Sequence, residues 1–150
     1  MFFLYAAAPI RTSDAKVLPL QAEKSYILMT GIYTILLLLI SNTFMTLAWY
    51  GHLKLQQSGR SSHWPLIAVI LFSWLIALAE YACQVPANRI GFRGNGGPFS
   101  LMQLKIIQEA LSLIVFTLIA TFMFRGEQLQ WNHIVSFLCI MLAVVFAFLK

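Results

Sequence analysis

Two acidic side chains, Glu80 and Glu109, lie inside stretches of sequence that are otherwise apolar enough to cross a lipid bilayer. A charged side chain at the centre of a bilayer costs roughly 3 kcal/mol or more unless it faces a partner or a water-filled cavity. Glu109 lies about ten residues, or about 15 Å by helical rise, inside its predicted helix. Both acids are therefore expected to face the interior of a helix bundle. Both are candidates for proton exchange, with Glu109 as the protonatable group and Glu80 as its partner or a pocket acid.

Each acid also has a purely structural interpretation. Lys105 precedes Glu109 by four residues, a spacing that allows an ion pair of little energetic value near the membrane surface. Glu80 lies about 8 Å by rise before the predicted helix end at Val85, within reach of Arg89 or Lys105 across the following loop. A lock on that loop would then be formed by Glu80 with Asn88 and Arg89. Sequence alone leaves both interpretations open.

Polar and aromatic side chains recur at helical spacing around these acids. One stripe of the first predicted helix contains Asn42, Thr46 and Trp49. The second and third predicted helices carry similar stripes that include Glu80 and Glu109. The sequence therefore predicts a substrate pocket whose candidate residues are Asn42, Thr46, Trp49, Tyr50, Tyr81, Gln84, Lys105 and Gln108.

The sequence lacks the residue patterns that other kinds of chemistry require. The sequence contains no Gly-rich phosphate loop after a strand, no nucleophile elbow and no His pair at metal-ligand spacing. Cys83 and Cys139 lie in apolar segments, which is typical of small packing residues rather than of a disulfide or metal site. The ten Lys and Arg residues are dispersed, whereas a nucleic-acid-binding surface needs them clustered. We expect no enzymatic activity, no cofactor, no metal and no nucleic-acid partner.

The amino-acid composition indicates whether the chain is surrounded by water or by lipid. Its 150 residues have room for one domain, and they are 60% hydrophobic and only 10% charged, with a mean hydropathy of +0.80. A soluble domain carries about 25% charged residues. Membrane lipid is therefore expected to surround most of the chain.

Four apolar segments predict an all-α, polytopic membrane protein with transmembrane helices at about 29–50, 65–85, 99–124 and 131–148. Such segments cross a hydrocarbon core of about 30 Å. Pro86 and the glycines of the following loop predict that the second helix ends at Val85. Residues 1–28 are expected to be either a flexible N-terminal tail or sequence that precedes a true start at Met29.

Four crossings place both ends of the chain on one side of the membrane. With Lys105 set aside, the Lys and Arg residues number six on that side and three on the other. Positive charge concentrates in cytoplasmic segments, so both termini are predicted to be cytoplasmic. A start at Met29 would equalise the two counts, and insertion in both orientations would then be expected.

The fourth predicted helix carries one stripe of small residues: Ser136, Cys139, Ala143 and Ala147. Small residues at this spacing let two helices approach closely. The stripe could pack within one chain or against a second copy. Because four short helices enclose little volume, a solute path is easier to build from two subunits, which favours a homodimer.

Three long motifs carry a resemblance to a known family. They read ILLLLISNTFMTLAWYGHLK, EYACQVPANRIGF and FSLMQLKIIQEALSLIVFTLIATFMFRGEQLQWNHI. With them the chain resembles, from about Ile35 to Phe148, an uncharacterised four-helix family of bacterial inner-membrane proteins. That family is grouped with the drug/metabolite transporter superfamily, whose smallest members are the small multidrug resistance exporters.

The resemblance implies a bundle like that of the small multidrug resistance exporters, which are similar in length and helix count. Those exporters work as antiparallel dimers and exchange protons for cations at a glutamate in the first helix. This sequence has Asn42 and Thr46 in its first span and no acid there. The expected function is a proton-linked carrier of a small metabolite or drug, with coupling moved to Glu109 or Glu80. The alternative is a non-transporting structural or accessory subunit of the membrane.

Overall fold

The computed structural model describes residues 20–61, 63–124 and 130–149, and within these ranges it contains four α-helices, one short 3₁₀ helix and no strand. The helices are α1 (Leu20–Gln57), α2 (Leu66–Gly91), α3 (Leu101–Met123) and α4 (Trp131–Phe148). The first three are long and apolar enough to cross a membrane, and α4 is a shorter apolar helix. The predicted all-α membrane bundle is confirmed.

The central helix of the fold is α1, which packs against both α2 and α3, while α4 packs against α3. A small core takes one buried side chain from each of the three inner helices, namely Leu38, Ala87 and Ile107. Helix α1 also buries polar residues, whereas no side chain described on α4 is fully buried. The position of α1 between two neighbours explains why it has two buried faces.

Local sequence signals mark the starts of α3 and α4. Ser100 and Gln103 form a capping box at the start of α3, in which Ser100 Oγ accepts from Gln103 N and Gln103 Oε1 accepts from Ser100 N. Helix α4 starts after Gln130, whose backbone N–H donates to His133 Nδ1 at 3.2 Å. At its other end, the ring of Phe148 lies 6.4 Å from that of Phe99 near the start of α3. Helix α4 therefore runs back along the full length of α3.

Three predicted helix ends were wrong, and one of them is the end of α1, which continues past the predicted end at about residue 50 to Gln57. Helix α2 continues through Pro86 to Gly91, because buried packing of Ala87 and Gly91 against α1 holds the last turn, and membrane helices tolerate an internal proline. Helix α1 begins at Leu20, so residues 20–28 are helical rather than a flexible tail. A hydropathy pattern detects only the part of a helix that lies in the hydrocarbon core, and the helix itself can extend beyond that part. Residues 1–19 lie outside the described ranges, and the start at Met29 remains a prediction.

The loop between α2 and α3 is held by backbone hydrogen bonds. Arg93 N donates to the carbonyl oxygen of Phe99 at 2.7 Å, and Phe99 N donates to that of Gly91 at 2.9 Å. A 3₁₀ helix, Arg93–Asn95, forms the turn, and Gly96 leaves it with a φ of 87°, a conformation that favours glycine. This loop fixes the end of α2 to the start of α3 at one end of the bundle.

Candidate functional site

A layer of polar side chains joins three helices in the interior of the bundle. On α1, Ser41 is fully buried and its hydroxyl donates to Gln84 Oε1 on α2 at 2.8 Å. The neighbouring residue, Asn42, is also fully buried, and its Oδ1 accepts from Gln108 Nε2 on α3 at 3.2 Å. We call Ser41, Asn42, Gln84 and Gln108 the polar layer. Its two interhelical bonds start from consecutive residues of α1.

Hydrogen bonds to the α1 backbone orient this layer. Asn42 Nδ2 donates to the carbonyl oxygen of Leu38 at 2.7 Å, which turns its Oδ1 towards α3. The Thr46 hydroxyl, also buried, donates to the carbonyl oxygen of Asn42 at 2.8 Å. In hydrocarbon, where water is absent, such local bonds satisfy hydroxyl and amide protons. The layer is thus fixed in place by the helix that carries it.

One acceptor in the polar layer is unused. Gln108 Oε1 is buried and accepts no hydrogen bond from the residues that the structure describes. An unsatisfied buried acceptor costs about 1–3 kcal/mol, so it marks a position where a donor from another molecule would be stabilised.

Glu80 lies beside this layer on α2. It precedes Gln84 by four residues, about 6 Å by helical rise, and both lie on the stripe that includes the buried Ala87. Its side chain is half-buried and has no hydrogen-bond or ion-pair partner among residues 20–61, 63–124 and 130–149. The expected pairs of Glu80 with Arg89 and with Lys105 are therefore not formed.

Glu109 occupies a different environment. Its side chain is 57% exposed and lies 2.5 Å from Lys105 Nζ, whose side chain is 69% exposed. The prediction that both acids face the interior of the bundle is wrong for Glu109, because Ile107 and Ala110 form the buried face of α3 beside it. The expected i, i+4 ion pair between Lys105 and Glu109 is formed.

The predicted side-chain lock by Asn88 and Arg89 is also wrong. Both side chains are exposed. The carbonyl oxygens of these residues stabilise the loop instead: that of Asn88 accepts from Phe92 N at 3.1 Å, and that of Arg89 accepts from Asn95 Nδ2 at 3.0 Å.

The structure brings together four of the predicted pocket residues and separates the others. Asn42, Thr46, Gln84 and Gln108 meet between α1, α2 and α3. Trp49 and Tyr81 are exposed on the outside of their helices. Tyr50 packs instead against Phe116, with ring centroids 5.0 Å apart, and Lys105 points outwards.

Sequence reasoning missed Ser41 and a close helix contact near it. Ser41 is the residue before Asn42. It lies on a different face of α1, so the stripe that contains Asn42, Thr46 and Trp49 does not include it. Two turns earlier on α1, the buried Thr34 lies against Gly91 of α2, where a methyl group would approach Thr34 Cγ2 to 2.6 Å. Because Gly91 has no side chain, α1 and α2 come close enough for Ser41 to reach Gln84.

The small residues of α4 lie away from this site. Ser136, Cys139 and Ala143 are exposed, while Phe137, Ile140 and Val144 form the less exposed stripe of the helix. Within the described chain, these three small residues therefore do not pack in the interior. The side chain of Ala147 lies outside the described part of the structure.

Comparisons with known proteins agree with this architecture. No protein of curated function and no solved structure gives a significant match. Residues 34–148 match the model of one protein family, and this range contains the whole polar layer, Glu80 and all of α2, α3 and α4. With its apolar helices, the chain is a multi-pass membrane protein of transporter type. It belongs to the family described as "Putative member of DMT superfamily (DUF486)".

Proposed function

We propose that this protein is a carrier that moves a small polar solute across the bacterial inner membrane in exchange for protons, and that it is not an enzyme. The observation that supports this function is the polar layer at the centre of three apolar helices, with the unpartnered Glu80 one turn away. Polar and ionisable groups inside membrane bundles commonly mark solute and proton pathways.

The groups at this site indicate the chemistry of the solute. Gln108 Oε1 is an unused acceptor, and the Glu80 carboxylate adds acceptor oxygens. Both suit a solute that donates hydrogen bonds, such as a small amine. Ionised Glu80 would bind the solute, and protonation of Glu80 would release it. Glu109 is the weaker candidate for coupling because Lys105 already pairs with it.

A homodimer would complete the path. The exposed stripe of Ser136, Cys139 and Ala143 on α4 supports close contact with a second copy, and Ala147 continues the stripe in the sequence. We place both termini in the cytoplasm on the distribution of Lys and Arg.

The experiment uses the full chain in proteoliposomes that enclose a pH-sensitive dye. A panel of small amines, amino acids and neutral metabolites is applied outside, and the internal pH is recorded. We expect at least one amine to drive proton movement in the wild type, and Glu80→Gln to abolish it. Glu109→Gln is the matched control and should retain more than about half of the rate, because its loss removes no interior group. Equal loss in both variants would contradict the role of Glu80.

The alternative is an accessory subunit without transport activity. Its support is that the Ser41–Gln84 and Asn42–Gln108 bonds also fasten three helices together. In that case no solute of the panel moves protons, and Glu80→Gln changes only the melting temperature.

A further inference from the structure

A cavity lies between α1, α3 and α4, apart from the polar layer. Its volume is about 470 Å³, and aromatic rings dominate its wall: Tyr50, Phe116, Phe124 and Phe137. Tyr50 follows Asn42 by eight residues, so the cavity lies about 12 Å further along α1 by rise. Small-molecule sites are concave, mostly apolar and about 300–1,000 Å³ in volume.

The cavity wall contains five polar side chains, and three of them, Thr121, His133 and Ser136, already make hydrogen bonds. The hydroxyls of Thr121 and Ser136 donate to the carbonyl oxygens of Thr117 and Asn132 on their own helices. His133 Nδ1 accepts from Gln130 N at the start of α4. In a neutral imidazole the other nitrogen then carries the proton, so His133 Nε2–H is left as a hydrogen-bond donor in the cavity wall.

A basic side chain, Lys54, lies near the cavity. No acidic side chain lines it within the part of the chain that the structure describes. Lys54 Nζ lies 5.7 Å from the centroid of the Phe124 ring, which forms part of the wall. The ammonium group ends a flexible stem, so it can leave the ring for a stronger partner such as a carboxylate.

We propose that this cavity binds a hydrophobic carboxylate with a short aliphatic or aromatic body. The apolar body lies among the aromatic rings, and the carboxylate pairs with Lys54 and accepts from His133 Nε2. A hydrophobic cation would have no acid to pair with among the described wall residues. The cavity is separate from the polar layer, because none of the polar layer lines it.

Photolabelling of the full chain in lipid nanodiscs tests this site. The probe is a medium-chain carboxylic acid with an aliphatic diazirine, and the matched alcohol is the neutral control probe. We expect labelling of the peptides that contain Phe116 and Phe137 by the acid, saturable by octanoate. The acid should label them about fivefold more than the alcohol, since one exposed charge pair supplies about that factor.

Matched variants separate the cavity from the surrounding lipid. Ala120→Phe fills the cavity and should remove most of the labelling, while Ala82→Phe on the exposed face of α2 should leave it unchanged. Lys54→Gln should equalise the acid and the alcohol, and Lys54→Arg should restore the preference for the acid. Equal labelling by both probes in the wild type, or labelling that survives Ala120→Phe, would overturn the proposal. If Ala120→Phe does not fold, the two variants Lys54→Gln and Lys54→Arg still test the proposal.

Discussion

Asn42 Oδ1 on α1 accepts a hydrogen bond from Gln108 Nε2 on α3, at 3.2 Å, while the preceding residue of α1 bonds to α2. Both bonds lie beside the apolar core of Leu38, Ala87 and Ile107. Hydrogen bonds between membrane helices contribute about 0.6 kcal/mol on average, so this pair alone does not explain the stability of the bundle. Its value for a carrier is that it places amide groups at the centre of three helices.

The first prediction concerns the strength of the polar layer. A double-mutant cycle of Ser41→Ala and Gln84→Met should give a coupling of about 0.6 kcal/mol, with an upper bound of about 1.7 kcal/mol. The reason is that each single variant leaves the other group without its partner. Unfolding of the purified protein by denaturant, in a mixed micelle, measures the four free energies of unfolding. A coupling near zero would show that the bond contributes nothing.

The second prediction concerns the contact between α1 and α2. Gly91→Ala should destabilise the protein by about 1–3 kcal/mol, because the new methyl group meets Thr34 and Leu104. Gly31→Ala is the matched control in α1, where the methyl group would lie 3.4 Å from Pro98 Cγ, an ordinary contact. It should be neutral or stabilise by up to about 1 kcal/mol, since alanine favours helix. Melting temperatures in one detergent compare the two variants, and equal effects would refute the tight contact at Gly91.

The third prediction concerns the exposed ion pair on α3. Glu109→Leu leaves Lys105 without its partner and should lower the melting temperature by up to about 2–4 °C, because an exposed ion pair contributes at most about 1 kcal/mol. The double variant Lys105→Met, Glu109→Leu should recover the wild-type value, because it leaves neither charge without a partner and the exposed pair itself contributes little. Failure of the double variant to recover would show that the charges themselves are needed.

The fourth prediction concerns assembly. In a Cys83→Ser background, mild oxidation of membranes should join two chains through Cys139, which is exposed on α4. In a symmetric dimer, a residue that lies close to the two-fold axis is near the same residue of the other subunit. Non-reducing gels detect the product, and Cys139→Ser is the control. Absence of the cross-link in the Cys83→Ser protein would move the proposed contact to another face, and the cysteine-free control should show no cross-link.

Hydropathy and periodicity predicted the membrane class, the four helices and four members of the site region. Asn42, Thr46, Gln84 and Gln108 could be found because each interrupts an apolar stripe. Ser41 could not, because α1 lies between two helices and has two buried faces, so a second stripe exists beside the first.

The orientation of charged groups was less predictable. Glu80 and Glu109 look equivalent in sequence, yet one is half-buried beside the polar layer and the other is exposed in an ion pair. The difference comes from which face of each helix packs on α1, and that depends on contacts such as Thr34 with Gly91. Likewise, Pro86 gave a local signal for a helix end that tertiary packing of the last turn overrode.

The adjacency of Ser41 and Asn42 has a mechanical consequence. Their bonds to Gln84 and Gln108 leave α1 at the same height, so α2 and α3 are tied to it near a single point along its length. A tilt of either neighbour about that point would change the length of its bond little. Such a tilt would move the helices apart at one membrane face and bring them closer together at the other.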